Sequence, residues 1–133
     1  MKFQFNDGGR ADAGFKGSTG DCVVRAIAIA TDIPYKDVYD QVNAMAKQGE
    51  YARTGVSKMT TRKAMKHFGF DWIPTMKIGS GTTIHLRESE IPDGTIVVRL
   101  SKHLCAVKDK VIHDTHDPSR NGTRCVYGYW RKP

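Results

Sequence analysis

Cys22-Val23-Val24-Arg25-Ala26-Ile27-Ala28-Ile29-Ala30 contains a single polar residue, Arg25. A segment with no polar face reads as a helix buried on all sides, and Thr31-Asp32 marks its end. Upstream, residues 6–20 carry five glycines among polar neighbours with no periodicity, so the chain reaches Asp21 as a loop. Arg25 lies one helical turn after Asp21, close enough for the two charges to pair and make burial tolerable. Cys22 therefore opens the helix. At that position unpaired backbone N–H groups and the positive end of the helix dipole favour thiolate.

Two more helices are expected downstream. Pro34 suits a first turn, and Tyr35, Val38, Tyr39, Val42, Met45 and Ala46 recur at helical spacing to about Lys47. Gln48 to Gly55 reads as a loop. Ser57 is a candidate N-cap for a helix to His67, with Gly69 as its stop. The pattern then changes. Phe70–Ile73 reads as a short strand ended by Pro74, and Thr95–Ser101, His103–Val107, Val111–Asp114 and Arg124–Trp130 as further strands. Ile78-Gly79-Ser80-Gly81-Thr82 reads as a turn, because it lacks the lysine followed by Ser or Thr of a phosphate loop. The fold class is α+β: N-terminal helices, one of them the buried Cys22 helix, packed on a C-terminal antiparallel sheet as one domain over 1–133.

Composition sets the frame for function. No apolar run approaches the ~20 residues of a membrane span, and Met1–Gly8 lacks the apolar segment of a signal peptide. Three cysteines cannot all pair, which fits a reducing cytoplasm better than a disulfide scaffold. Cys105 and Cys125 alternate with apolar neighbours in strands and read as structural. The net charge of +7 suggests an acidic partner, but the basic residues are scattered without a dense run. Trp72, Tyr127, Tyr129 and Trp130 read as core or groove wall.

The His103 and Val111 strands form a hairpin with two registers open to it. A turn on Lys108-Asp109 sets His103 opposite Asp114, with Cβ atoms roughly 5 Å apart. There a carboxylate can fix the imidazole tautomer, and this register is the one expected. A turn on Asp109-Lys110 instead sets His103 opposite His116 and leaves Asp114 diagonal. His113, Asp114, His116 and Asp117 also raise a metal reading, weakened because His113 and His116 would face opposite sides of a strand.

A cysteine heading a buried helix, a later histidine on an antiparallel sheet and a carboxylate on a neighbouring strand resemble the papain-like cysteine peptidase superfamily. The resemblance implies Cys22 as nucleophile, His103 as base and Asp114 as its orienting residue. It implies hydrolysis of a peptide, isopeptide or small amide through a thioester, with no cofactor or metal. Many members place a glutamine about six residues before the cysteine, for the oxyanion hole; Lys16 stands there in this chain. The backbone N–H of Cys22 is one donor, and Lys16, Ser18 and Thr19 are the candidates for the second. A missing donor costs on the order of 2.7–4 kcal/mol of transition-state stabilisation. Val111–Ser119 also resembles uncharacterised proteins of phages and mobile elements, implying a bacterial or phage-infected cytoplasm. Two other classes stay open: a non-catalytic basic module for nucleic acid or a host protein on the same scaffold, and a metal-dependent hydrolase.

Overall fold

The computed structural model describes residues 1–16, 20–76 and 83–132. In chain order the elements are β1 (Lys2–Phe5), α1 (Cys22–Thr31), α2 (Tyr35–Met45), α3 (Lys58–His67), β2 (Asp71–Pro74), β3 (Ile84–His85), β4 (Thr95–Leu100), β5 (His103–Lys108), β6 (Val111–Asp114), β7 (Cys125–Val126) and β8 (Gly128–Arg131). The class is α+β, with three helices and a mostly antiparallel sheet. The glycine-rich 78–82 turn lies outside the described residues.

The helices begin and end for local reasons. Asp32 takes the left-handed conformation (φ 59°) and closes α1 through its N–H to the Ala28 carbonyl. Pro34 precedes α2 as its N-cap. Ser57 caps α3 by accepting from the Thr60 N–H, and Gly69 at φ 88° ends the run, as expected from sequence.

Six strands form one sheet in the order β1-β6-β5-β4-β8-β2. Its apolar residues alternate between two cores, so both faces are covered. Val97, Leu104 and Trp130 face a cluster with Val24, Ile27, Val38, Val42 and Met65 of the helices. Ile96, Val98, Cys105, Val107 and Ile112 face the other way, against Leu86, Ile91 and Val126. A sheet covered by helices on one face alone would leave this second set in water.

Three expectations need correction. The N-terminus is part of the sheet: β1 pairs parallel with β6, setting Phe5 opposite Asp114. The last strand is broken in two, and β7 leaves to pair with β3 in a separate two-stranded ribbon. The β5–β6 hairpin turns on Asp109-Lys110, giving Val107↔Ile112 and Lys108↔Val111. Both turn residues have positive φ, 47° and 66°. That is the type I′ geometry matching the right-handed twist of paired strands, and the turn overrides the weak Asp-Lys sequence signal.

Candidate active site

α1 and the strands β5 and β6 bring Cys22, His103 and Asp114 together. Cys22 is the first residue of α1, and the chain before it is pressed against the 54–55 loop. A Cβ on Gly20 would lie 2.8 Å from the Thr54 carbonyl oxygen, so only glycine fits there. The side chain of Asp21 makes no cap hydrogen bond to α1, because it is turned towards Arg25, Arg10 and Tyr35. Asp21 therefore gives no side-chain cap to the first-turn N–H groups around Cys22.

His103 opens β5 and Asp114 ends β6. The expected register fails, yet the pair forms on the diagonal: His103 Nε2 lies 2.6 Å from Asp114 Oδ2. With Nε2 committed, Nδ1 is the ring nitrogen left for the Cys22 thiol, which lines the same cavity and feels the His103 charge. The ring of His116 packs against His103 at 5.2 Å between centroids. Asp114 is 3% exposed. Its backbone is pinned by the Asn6 N–H donating to its carbonyl at 2.9 Å, and its Oδ1 accepts from the Thr115 N–H at 2.7 Å.

Electrostatics favour the charged forms of all three groups. Burial opposes ionisation of the Cys22 thiol. It is outweighed by the hydrogen bond and charge of His103, the Leu104 backbone N–H and the Arg25 guanidinium, which hold the thiol below its ordinary value. Burial likewise acts to deprotonate His103, but hydrogen bonds and charges from Asp114 and Cys22 raise it to about 9. Desolvation also works against the Asp114 carboxylate and loses to His103, the Thr115 N–H and Arg25. All three shifts run in the direction that favours a thiolate–imidazolium pair backed by a carboxylate. Cys105, by contrast, is buried, and that burial pushes its thiol far up.

Arg25 does more than pair with Asp21. The local ion pair expected from the one-turn spacing is present, and the same guanidinium reaches Asp114 Oδ1 at 3.5 Å. Arg10 adds a second cation on Asp21 at 3.2 Å. Polar groups therefore run from Arg10 through Asp21 and Arg25 to the carboxylate that orients His103. The Asp21–Arg25 spacing was the one sequence signal for this network; the roles of Arg10 and Tyr35 have none.

A cavity of about 410 Å³ opens beside the thiol, walled by Cys22, His103, Leu104, Thr54, Val56 and His116 among others. Lys16 is exposed and is absent from this wall; its carbonyl accepts from Arg10 Nη2 at 3.1 Å. Ser18 and Thr19 lie outside the described residues. His113 is held by Asn6 at 3.3 Å, away from the triad. The ligand atoms that do converge are those of His103, Asp114 and His116, within 4.8 Å of one another. No helix among the described residues is long and apolar enough to cross a membrane. Comparison with protein-family models, with curated proteins and with solved structures returns no match to this chain.

Proposed function

We propose that this chain is a papain-like cysteine hydrolase acting on a peptide, isopeptide or other amide. One observation carries the reading: the helix-opening Cys22 shares a cavity wall with His103, which lowers its thiol, and His103 Nε2 is held at 2.6 Å by a buried carboxylate. That is a nucleophile, a base and an orienting group in series.

In the proposed reaction the Cys22 thiolate attacks the substrate carbonyl carbon. The carbonyl π electrons move onto oxygen, which sits at the N-terminus of α1 against the Cys22 N–H. The oxyanion collapses, the C–N bond breaks, and the His103 imidazolium gives its proton to the departing amine. Neutral His103 then takes a proton from water, whose oxygen attacks the thioester. Collapse releases a carboxylic acid and returns the thiolate–imidazolium pair. Asp114 stays ionised throughout, holding the ring with Nδ1 towards sulfur.

A limiting thiol reagent at mildly acidic pH, read out by mass spectrometry at each cysteine, tests this. Cys22 is expected to react well ahead of Cys105 and Cys125, and to lose its lead in His103→Ala. Equal reactivity with and without His103 would overturn the proposal. A second reading, a divalent metal on His103, Asp114 and His116, rests on their convergence. Arg25 and the Thr115 N–H already engage the Asp114 carboxylate, which weakens that reading. Its signature is activity lost to a chelator and retained in Cys22→Ser.

A further inference from the structure

The cavity at Cys22 adjoins a larger one of about 960 Å³, the two sharing Val56, Lys58, Arg99 and Lys102. The larger cavity adds Arg62, Trp72 and Tyr127. No Asp or Glu among the described residues lines either cavity. None of Lys58, Arg62, Arg99 and Lys102 forms an ion pair with a described carboxylate. Elsewhere the chain does pair its charges, Lys36 with Asp40 and Arg87 with Glu90.

This arrangement works against the stability of the fold. Lys58, Arg62 and Lys66 stand one turn apart along α3, a spacing at which like charges repel. Lys58 also occupies the first turn of α3, which has no acidic residue, where the helix dipole disfavours a cation. Arg99 is half-buried on β4, and burial together with the facing Arg62 charge pushes its guanidinium below the ordinary value. Such a cluster is relieved by an anion.

Resting on the hydrolase reading above, we infer that this groove is the substrate-recognition subsite and takes the acidic side chains of a peptide running to the Cys22 thiol. A peptide fits better than a nucleic acid. The ring of Trp72 is partly taken up by Trp130, at 4.5 Å between centroids, and by its crossing of Gly128. The groove also ends at a thiol suited to attack on an acyl carbon.

Fluorescence anisotropy tests this with two labelled peptides differing only in Glu against Gln, titrated with the Cys22→Ala protein at low salt. The Glu peptide should bind about tenfold tighter, with the margin shrinking as salt rises. Arg62→Gln, at an exposed position, should remove about threefold, and Arg62→Gln/Arg99→Gln most of the preference. Lys63→Gln, on the same helix but outside the groove, should leave it unchanged. Equal binding of the two peptides overturns the inference, as does equal loss in Lys63→Gln and Arg62→Gln. A single-stranded oligonucleotide of matched charge that binds tighter and displaces the peptide also overturns it. Iodoacetamide labelling of wild-type Cys22 is scored separately: an unreactive thiol sinks the hydrolase reading, while the anisotropy still decides the groove.

Discussion

Asp114→Asn isolates the electrostatic part of the site while nearly preserving its shape. Asn keeps one acceptor oxygen, enough for the Thr115 N–H or the His103 ring but not both, and removes the charge that His103 and Arg25 face at 2.6 and 3.5 Å. Against the opposing pull of burial His103 is raised to about 9, which favours the imidazolium by about 3 kcal/mol. Asp114 and Cys22 share that stabilisation. If each supplies about half, losing Asp114 removes on the order of 1.5 kcal/mol of preference for imidazolium, and the thiolate loses its counter-ion in the same measure. Cys22 alkylation at pH 6 should then slow by about tenfold, a factor set by 1.4 kcal/mol per decade. The assay is the pH profile of iodoacetamide labelling at Cys22, with circular dichroism confirming the fold. The inflection should move up towards that of an ordinary thiol. A folded Asp114→Asn protein with the wild-type profile would refute the reasoning, because the carboxylate would then contribute nothing to the ion pair.

Three further outcomes follow from the same geometry. Arg25→Met leaves the buried Asp21 and Asp114 short of a cation and should cost about 3–5 kcal/mol in urea melts. Lys36→Ala, at an exposed pair, should stay within about 0.5 kcal/mol; similar losses at the two sites would contradict the burial argument. In Gly128→Ala the new Cβ would lie 2.4 Å from the Trp72 ring and 2.8 Å from the Ile73 carbonyl oxygen. Overpacking of about 1–3 kcal/mol and a shifted tryptophan emission are expected, and an unchanged spectrum argues against that contact. In Cys22→Ser the thiol no longer titrates, leaving His103 raised by Asp114 alone. A raised histidine stabilises most below its unfolded value and loses that contribution as pH climbs through its folded value. The melting temperature should therefore fall from about pH 6.5 upward, in a window closing below the wild-type value of about 9. A melting temperature that rises over that window would reverse the assigned direction.

The candidate triad was legible because each member announces itself by local chemistry. Cys22 heads an apolar run, His103 opens an apolar strand, and Asp114 closes the next. Their contact was reached through a hairpin register that the protein does not adopt. The diagonal arrangement succeeds because His103 and Asp114 both sit at strand ends, where their side chains can turn towards the N-terminus of α1. Lys2–Phe5 alternates polar and aromatic residues, but four residues exposed at a sheet edge are too short a pattern to place β1 by themselves. The split of the last strand was hidden as well, since β7 and β8 are consecutive in sequence and differ only in which neighbour they pair with.

The sequence by itself determined the elements, the order of helices before most strands, and the residues able to do chemistry, because periodicity, capping and residue type act over a few neighbouring positions. Tertiary structure alone decided three things. Arg25 bridges Asp21 to Asp114, burying one guanidinium between two carboxylates distant in the chain. The sheet has two cores, because the segment around Leu86 and Ile91 covers the face the helices leave bare. Lys58, Arg62, Arg99 and Lys102, scattered in sequence between α3 and β5, become one cationic wall. Charge is additive through space and indifferent to chain order, so only folding could decide where these four cations meet.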